Sequence, residues 1–127
     1  MLKRAARQFP AVVLTGPRQS GKTTLLKRVF GGTARYVSLE PSEVREAATV
    51  DPRGFLASFP APVIFDEIEH TPSLLPYIKE QIDEQRSKAG QFLLTGSQNL
   101  LLASRVSESL AGRAAMLRLL PLSGIPG

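Results

Sequence analysis

The chain has 127 residues, 43% of them hydrophobic and 21% charged, with a mean hydropathy of −0.02. That suits one domain, residues 1–120, with residues 121–127 as an unstructured Gly/Pro tail, and it excludes a chain disordered throughout or a membrane-spanning protein. The absence of cysteine excludes disulfides, thiolate catalysis and Cys-ligated metal. The single histidine, His70, rules out a His-based metal cluster and disfavours a Ser-His-Asp triad.

The charge is uneven. Sixteen Lys+Arg against eleven Asp+Glu leave +5. The first 35 residues hold eight bases (Lys3, Arg4, Arg7, Arg18, Lys22, Lys27, Arg28, Arg35) and no acid. Such a block suits a polyanion or, equally, a solvated basic face. Only Ala11 to Leu14 follows as an apolar run, too short for a signal-peptide core, so a cytoplasmic chain with no membrane contact is expected.

The apolar runs then alternate in length. Ala11 to Thr15 reads as a buried strand ended by Gly16-Pro17. Leu25, Leu26, Val29 and Phe30 recur at helical spacing, so Gly21 to Phe30 reads as a helix stopped by Gly31-Gly32. Tyr36 to Leu39 is a second strand, Pro41 to Val50 a helix opened by proline and acids, and Asp51-Pro52 caps another through Phe59. Pro62 to Asp66 is a third strand. Pro72 to Arg86 is the longest helical pattern, with Pro76 marking a late start or a kink. Gln91 to Thr95 is a fourth strand, Gln98 to Ala111 one or two helices ended by Gly112, and Ala114 to Leu119 a fifth strand. Strands alternating with helices imply an α/β fold with a mostly parallel, helix-covered sheet.

The chemistry concentrates at the strand ends. Gly16-Pro17-Arg18-Gln19-Ser20-Gly21-Lys22-Thr23 is an unbroken G-x-x-x-x-G-K-T between a strand and a helix, the setting of a P-loop. The glycines let successive N–H groups turn inward around a polyphosphate, and the helix start adds free N–H groups and a positive dipole end. Lys22 suits the β- and γ-phosphates, Thr23 offers a hydroxyl to Mg²⁺, and Thr24 extends the cradle. Val63 to Glu67 is an apolar strand ending in two carboxylates. Asp66 suits Mg²⁺ and Glu67 suits activation of a water as general base.

The end of the fourth strand adds Ser97, with Gln98 and Asn99 behind it, either as a reader of the γ-phosphate or as a helix N-cap. Arg113 follows Gly112 and suits either an arginine finger toward a neighbouring subunit or the capping of helix carbonyls. No [NT]-K-x-D guanine signature occurs, which favours ATP.

Together the blocks Leu14 to Leu25, Tyr36 to Glu40, Val63 to Leu75, Leu94 to Gln98 and Ser109 to Ser123 resemble the prokaryotic AAA+-like P-loop ATPases. The resemblance implies a three-layer α/β/α P-loop NTPase core with strand order 5-1-4-3-2. It also implies ATP and Mg²⁺ as ligands and Arg113 as the arginine finger. Members usually continue beyond the PLS segment into a C-terminal domain, so the chain reads as a C-terminally truncated member. Mg²⁺-dependent ATP hydrolysis is the leading expectation. The alternatives are a nucleotide-binding module without turnover, contacting nucleic acid through its basic first third, and a small-molecule kinase. A homo-oligomer or a protein partner is also expected.

Overall fold

The structure, a computed structural model, describes residues 2–17, 21–85, 88–97 and 99–119. Five strands form one sheet: β1 (Ala11–Thr15), β2 (Arg35–Ser38), β3 (Val63–Asp66), β4 (Phe92–Gly96) and β5 (Ala114–Arg118). Their order is β2-β3-β4-β1-β5, with every neighbouring pair parallel. Counted from the other edge this is 5-1-4-3-2, the order the resemblance implies. Among the described residues the helices are α1 (Leu2–Gln8), α2 (Lys22–Phe30), α3 (Ser42–Val50), α4 (Pro52–Ser58), α5 (Leu75–Glu84) and α6 (Leu100–Leu110). Two single 3₁₀ turns, Ile68–His70 and Pro72–Leu74, lie between β3 and α5. None of these helices is long and apolar enough to cross a membrane.

Period-2 alternation sorts the strand side chains into two cores. Val13, Phe65, Phe92 and Leu94 face one cluster with Phe55, Leu56, Ile78, Ile82, Leu102 and Val106, from α4, α5 and α6. Val12, Leu14, Ile64 and Leu93 face the other, with Leu2 and Ala5 of α1 and Leu26 of α2. Both faces of the sheet are therefore covered, as a parallel sheet requires. The Phe65 ring stacks on Phe55 and on Phe92, with centroids 5.9 and 6.3 Å apart. Each fully buried Leu, Ile or Phe contributes about 1.5–3 kcal/mol, so this double core dominates the stability.

Strand and helix boundaries fall close to the sequence reading, and the differences have local causes. The expected helix from Pro72 begins as a 3₁₀ turn, and α5 starts only at Leu75, with Pro76 in its first turn. Proline lacks the N–H that an interior turn would need, so Pro76 marks the late start rather than a kink. Helix α1 was not foreseen at all. Its sequence LKRAARQ is too short and too charged to signal a helix, and the burial of Leu2 and Ala5 against α2 is what stabilises it. The expected tail, residues 121–127, lies outside the described residues.

Helix α6 takes its start from Asn99, whose Oδ1 accepts the Leu102 N–H at 2.7 Å. Asn99→Ala is expected to lower stability by about 1 kcal/mol through loss of this cap. Chemical denaturation measures it, and a Gly at the same position is expected to restore most of the loss.

Candidate functional site

All five strands run parallel, so their carboxyl ends lie on one edge of the sheet. The chain order reverses beside β1, which pairs with β4 and β5 rather than with β2. In open α/β sheets such a switch point opens a crevice at the carboxyl ends. Gly16 and Pro17 follow β1 at that edge, and Gly21 to Thr23 open α2.

Gly21 sits at φ +86° as the residue before α2, a left-handed conformation that a side chain resists. A Cβ there would meet nothing within 4 Å, so the backbone angle rather than space calls for glycine. The Lys22 ammonium turns back onto the loop, donating to the Gly16 and Pro17 carbonyls at 3.0 and 3.1 Å. Gly16 itself donates its N–H to the Gly96 carbonyl at 3.3 Å, which ties the loop to the end of β4. Thr24 is exposed on the first turn of α2. Arg18, Gln19 and Ser20 lie outside the described residues.

Asp66 ends β3 and is buried, at 6% exposure. Three hydroxyls converge on its carboxylate. Thr23 donates to Oδ1 at 2.8 Å, Tyr36 donates to Oδ2 at 2.6 Å, and Thr95 also donates to Oδ1. Thr23 and Asp66, 43 residues apart, are thereby brought together. Both are oxygen donors, the donor set that a hard divalent cation such as Mg²⁺ takes.

Glu67 leaves the strand at φ 64° and ψ 55°, in the left-handed region. For a residue with a side chain this costs about 1–3 kcal/mol, a strain found chiefly at functional sites. The Glu67 N–H is held by Thr95 Oγ1 at 2.8 Å, so one threonine fixes both consecutive acids. Burial raises the Glu67 pKa, and the neighbouring carboxyls of Glu40 and then Asp66 raise it further, while His70 opposes them. His70 Nε2 lies 3.6 Å from Glu67 Oε1. Glu67, Glu69 and His70 bring one ligand atom each within 4.8 Å of one another, a mixed carboxylate–imidazole group that the sequence reading did not foresee.

At the end of β4 the side chain that reaches the acids is Thr95, not Ser97. Ser97 donates its backbone N–H to Glu69 Oε1 at 3.2 Å, and its hydroxyl accepts from Asn99 Nδ2 at 2.8 Å. Asn99 takes the N-cap alternative, and Gln98 lies outside the described residues. Thr95 was missed because it reads as the last residue of an apolar strand. Its place level with Leu14, beside the departing loop, follows only from the pairing of β1 with β4.

Arg113 is not brought to this cluster. It immediately precedes β5, and Ala114 lies opposite Ala11, so it stands at the amino end of the sheet. The loop leaves the other end, roughly 13 Å away along a five-residue strand. Its guanidinium donates to Asp83 Oδ1 at 2.7 Å, Asp83 Oδ2 at 3.3 Å and the Ala111 carbonyl at 2.8 Å. This is the carbonyl-capping arrangement, with an ion pair to α5 added. Within one chain Arg113 therefore serves the α5–α6 contact.

The family model described as "AAA domain" matches residues 8–124. The chain is 37% identical over 119 residues to the uncharacterized proteins Mb2031c of Mycobacterium bovis and Rv2008c of Mycobacterium tuberculosis. The match covers 93% of this chain and 26% of each relative, so the chain spans about a quarter of their length. A solved structure of the FIGL-1 AAA domain in complex with ADP aligns with 87% of this chain and 43% of its own, at 22% identity and a TM-score of 0.49.

Proposed function

Because this chain belongs to the AAA domain family, we propose that it binds ATP with Mg²⁺ at the Gly16–Thr24 loop and hydrolyses it. The observation that carries the reading is the 2.8 Å hydrogen bond from Thr23 to Asp66, which joins the P-loop helix to the acidic strand end. The loop from Gly16 to Gly21 would take the phosphates through the backbone N–H groups of Arg18, Gln19, Ser20 and Gly21, since the Gly16 N–H is held by Gly96 and Pro17 has none. Lys22 leaves its loop carbonyls for the β- and γ-phosphates. Thr23 and Asp66 hold the cation. When bound, Mg²⁺ neutralises charge that develops on the phosphate oxygens.

Glu67 takes the proton of the attacking water. A carboxyl with a raised pKa is the better base for that step near neutral pH. Thr95 keeps Asp66 and Glu67 in their separate orientations, and Ser97, at the carboxyl end of β4, reads the γ-phosphate. Arg113 acts only in trans, on a nucleotide held by a second copy, and must first leave Asp83. Titration calorimetry of MgATP against the chain tests the reading. One saturable site per chain is expected, and heats indistinguishable from dilution contradict it.

A second reading concerns nucleic acid, and one structural observation favours it. Helices α1 and α2 share the same face of the sheet, and Lys3, Arg4, Arg7 and Arg28 are exposed on them. If these four bases each neutralise one phosphate, log affinity for a DNA duplex falls with log salt at a slope of about −3 to −4. A gel shift across a salt series measures this, and no shift at low salt removes the reading.

A further inference from the structure

Tyr36 lies on β2, a strand at the edge of the sheet, opposite Ile64 and two residues before the Ser38–Asp66 pair. Its residue is 39% exposed, yet its hydroxyl turns inward to the buried Asp66 rather than outward to water. Lys27 Nζ stands 3.9 Å from the centre of the ring, at cation–π distance. Thr23 and Lys27 are four residues apart on α2, so they share one face of that helix. The contacts therefore close a circuit. Thr23 holds Asp66, Asp66 holds Tyr36, Tyr36 lies under Lys27, and Lys27 returns to the helix that carries Thr23.

The circuit divides the carboxylate. Oδ1 is held by Thr23 and Thr95, and Oδ2 by Tyr36. Bonds on both oxygens resist rotation about Cβ–Cγ from two sides, and Tyr36 supplies the one on Oδ2.

We propose that Tyr36 is a positioning residue for Asp66, fixing the rotation of its carboxylate, with Lys27 holding the ring in place. The inference rests on the reading above that Thr23 and Asp66 hold Mg²⁺. It follows that the Mg²⁺-dependent part of nucleotide binding depends on Tyr36, and the Mg²⁺-independent part does not.

The test is calorimetry of ATP against the full chain, in Mg²⁺ and in EDTA, for wild type, Tyr36→Phe and Lys27→Met. Tyr36→Phe keeps the ring and the cation–π contact and removes only the hydroxyl. It is expected to raise the Mg²⁺ concentration for half-maximal enhancement by about tenfold, with affinity in EDTA unchanged. Lys27→Met keeps the hydroxyl and is expected to shift the same quantity by about threefold. Unchanged Mg²⁺ dependence in Tyr36→Phe overturns the proposal, as does an equal loss with and without Mg²⁺. If Tyr36→Phe does not fold, an unaltered Mg²⁺ dependence in Lys27→Met overturns it instead. Wild-type chain that binds ATP without any Mg²⁺ enhancement removes the underlying cation reading and this inference with it. A normal wild-type enhancement with an unaffected Tyr36→Phe removes the inference alone.

Discussion

Glu67→Gln is expected to reduce phosphate release by about 10²–10⁴-fold while ATP binding survives. The amide keeps the shape of the carboxyl and can still hydrogen-bond a water, but it cannot take the proton. Thr95 holds the backbone of Glu67 rather than its side chain, so the left-handed turn remains in place. Phosphate release measured beside calorimetry separates the two effects. A variant that turns over ATP at the wild-type rate removes Glu67 as the base.

The same variant reports the electrostatics of the site without any turnover. Burial and the Glu40 and Asp66 carboxyls raise the folded-state pKa of Glu67 above its ordinary 4.5. Its ionisation therefore opposes folding. That cost is absent below pH 4.5, grows as pH rises through the window from 4.5 to the folded value, and is complete above it. Glu67→Gln removes the cost. The variant is expected to melt higher than wild type at neutral pH, with the difference vanishing as pH falls below 4.5. A variant that is less stable at neutral pH contradicts the assignment.

Lys22→Ala is expected to weaken ATP binding by about 100-fold or more. The ammonium would contribute charge-assisted hydrogen bonds to two phosphates, each worth about 1.5–3 kcal/mol, and tenfold in affinity is about 1.4 kcal/mol. Among the described residues its partners are the Gly16 and Pro17 carbonyls, so the fold is expected to survive its loss. Calorimetry gives the affinity and circular dichroism confirms the fold. Wild-type affinity in the variant contradicts a phosphate-binding role.

What the sequence disclosed is what adjacency in the chain encodes. Ala11 to Thr15 and Val63 to Asp66 are apolar, β-branched runs with abrupt polar ends, and the G-x-x-x-x-G-K-T spacing needs no tertiary knowledge to recognise. The strand order came from the resemblance rather than from the runs themselves. What stayed hidden depends on long-range placement. Tyr36 and Thr95 reach Asp66 from 30 and 29 residues away because β2, β3 and β4 lie side by side, a proximity no local pattern records. Helix α1 stayed hidden for the same reason, since Leu2 and Ala5 acquire meaning only beside Leu26. Arg113 shows the converse. Its spacing fits two roles, and the structure gives it a carboxylate on α5 at the end of the sheet away from the loop.

We propose that the bend between β1 and α2 is an anion nest for a triphosphate. Amide chemical shifts of the labelled chain during an ATP titration test it most directly. The N–H signals of Gly21, Lys22 and Thr23 are expected to move together and saturably, while the same signals stay still in Lys22→Ala. Stationary loop amides with shifts confined to α1 and the exposed face of α2 would contradict the account.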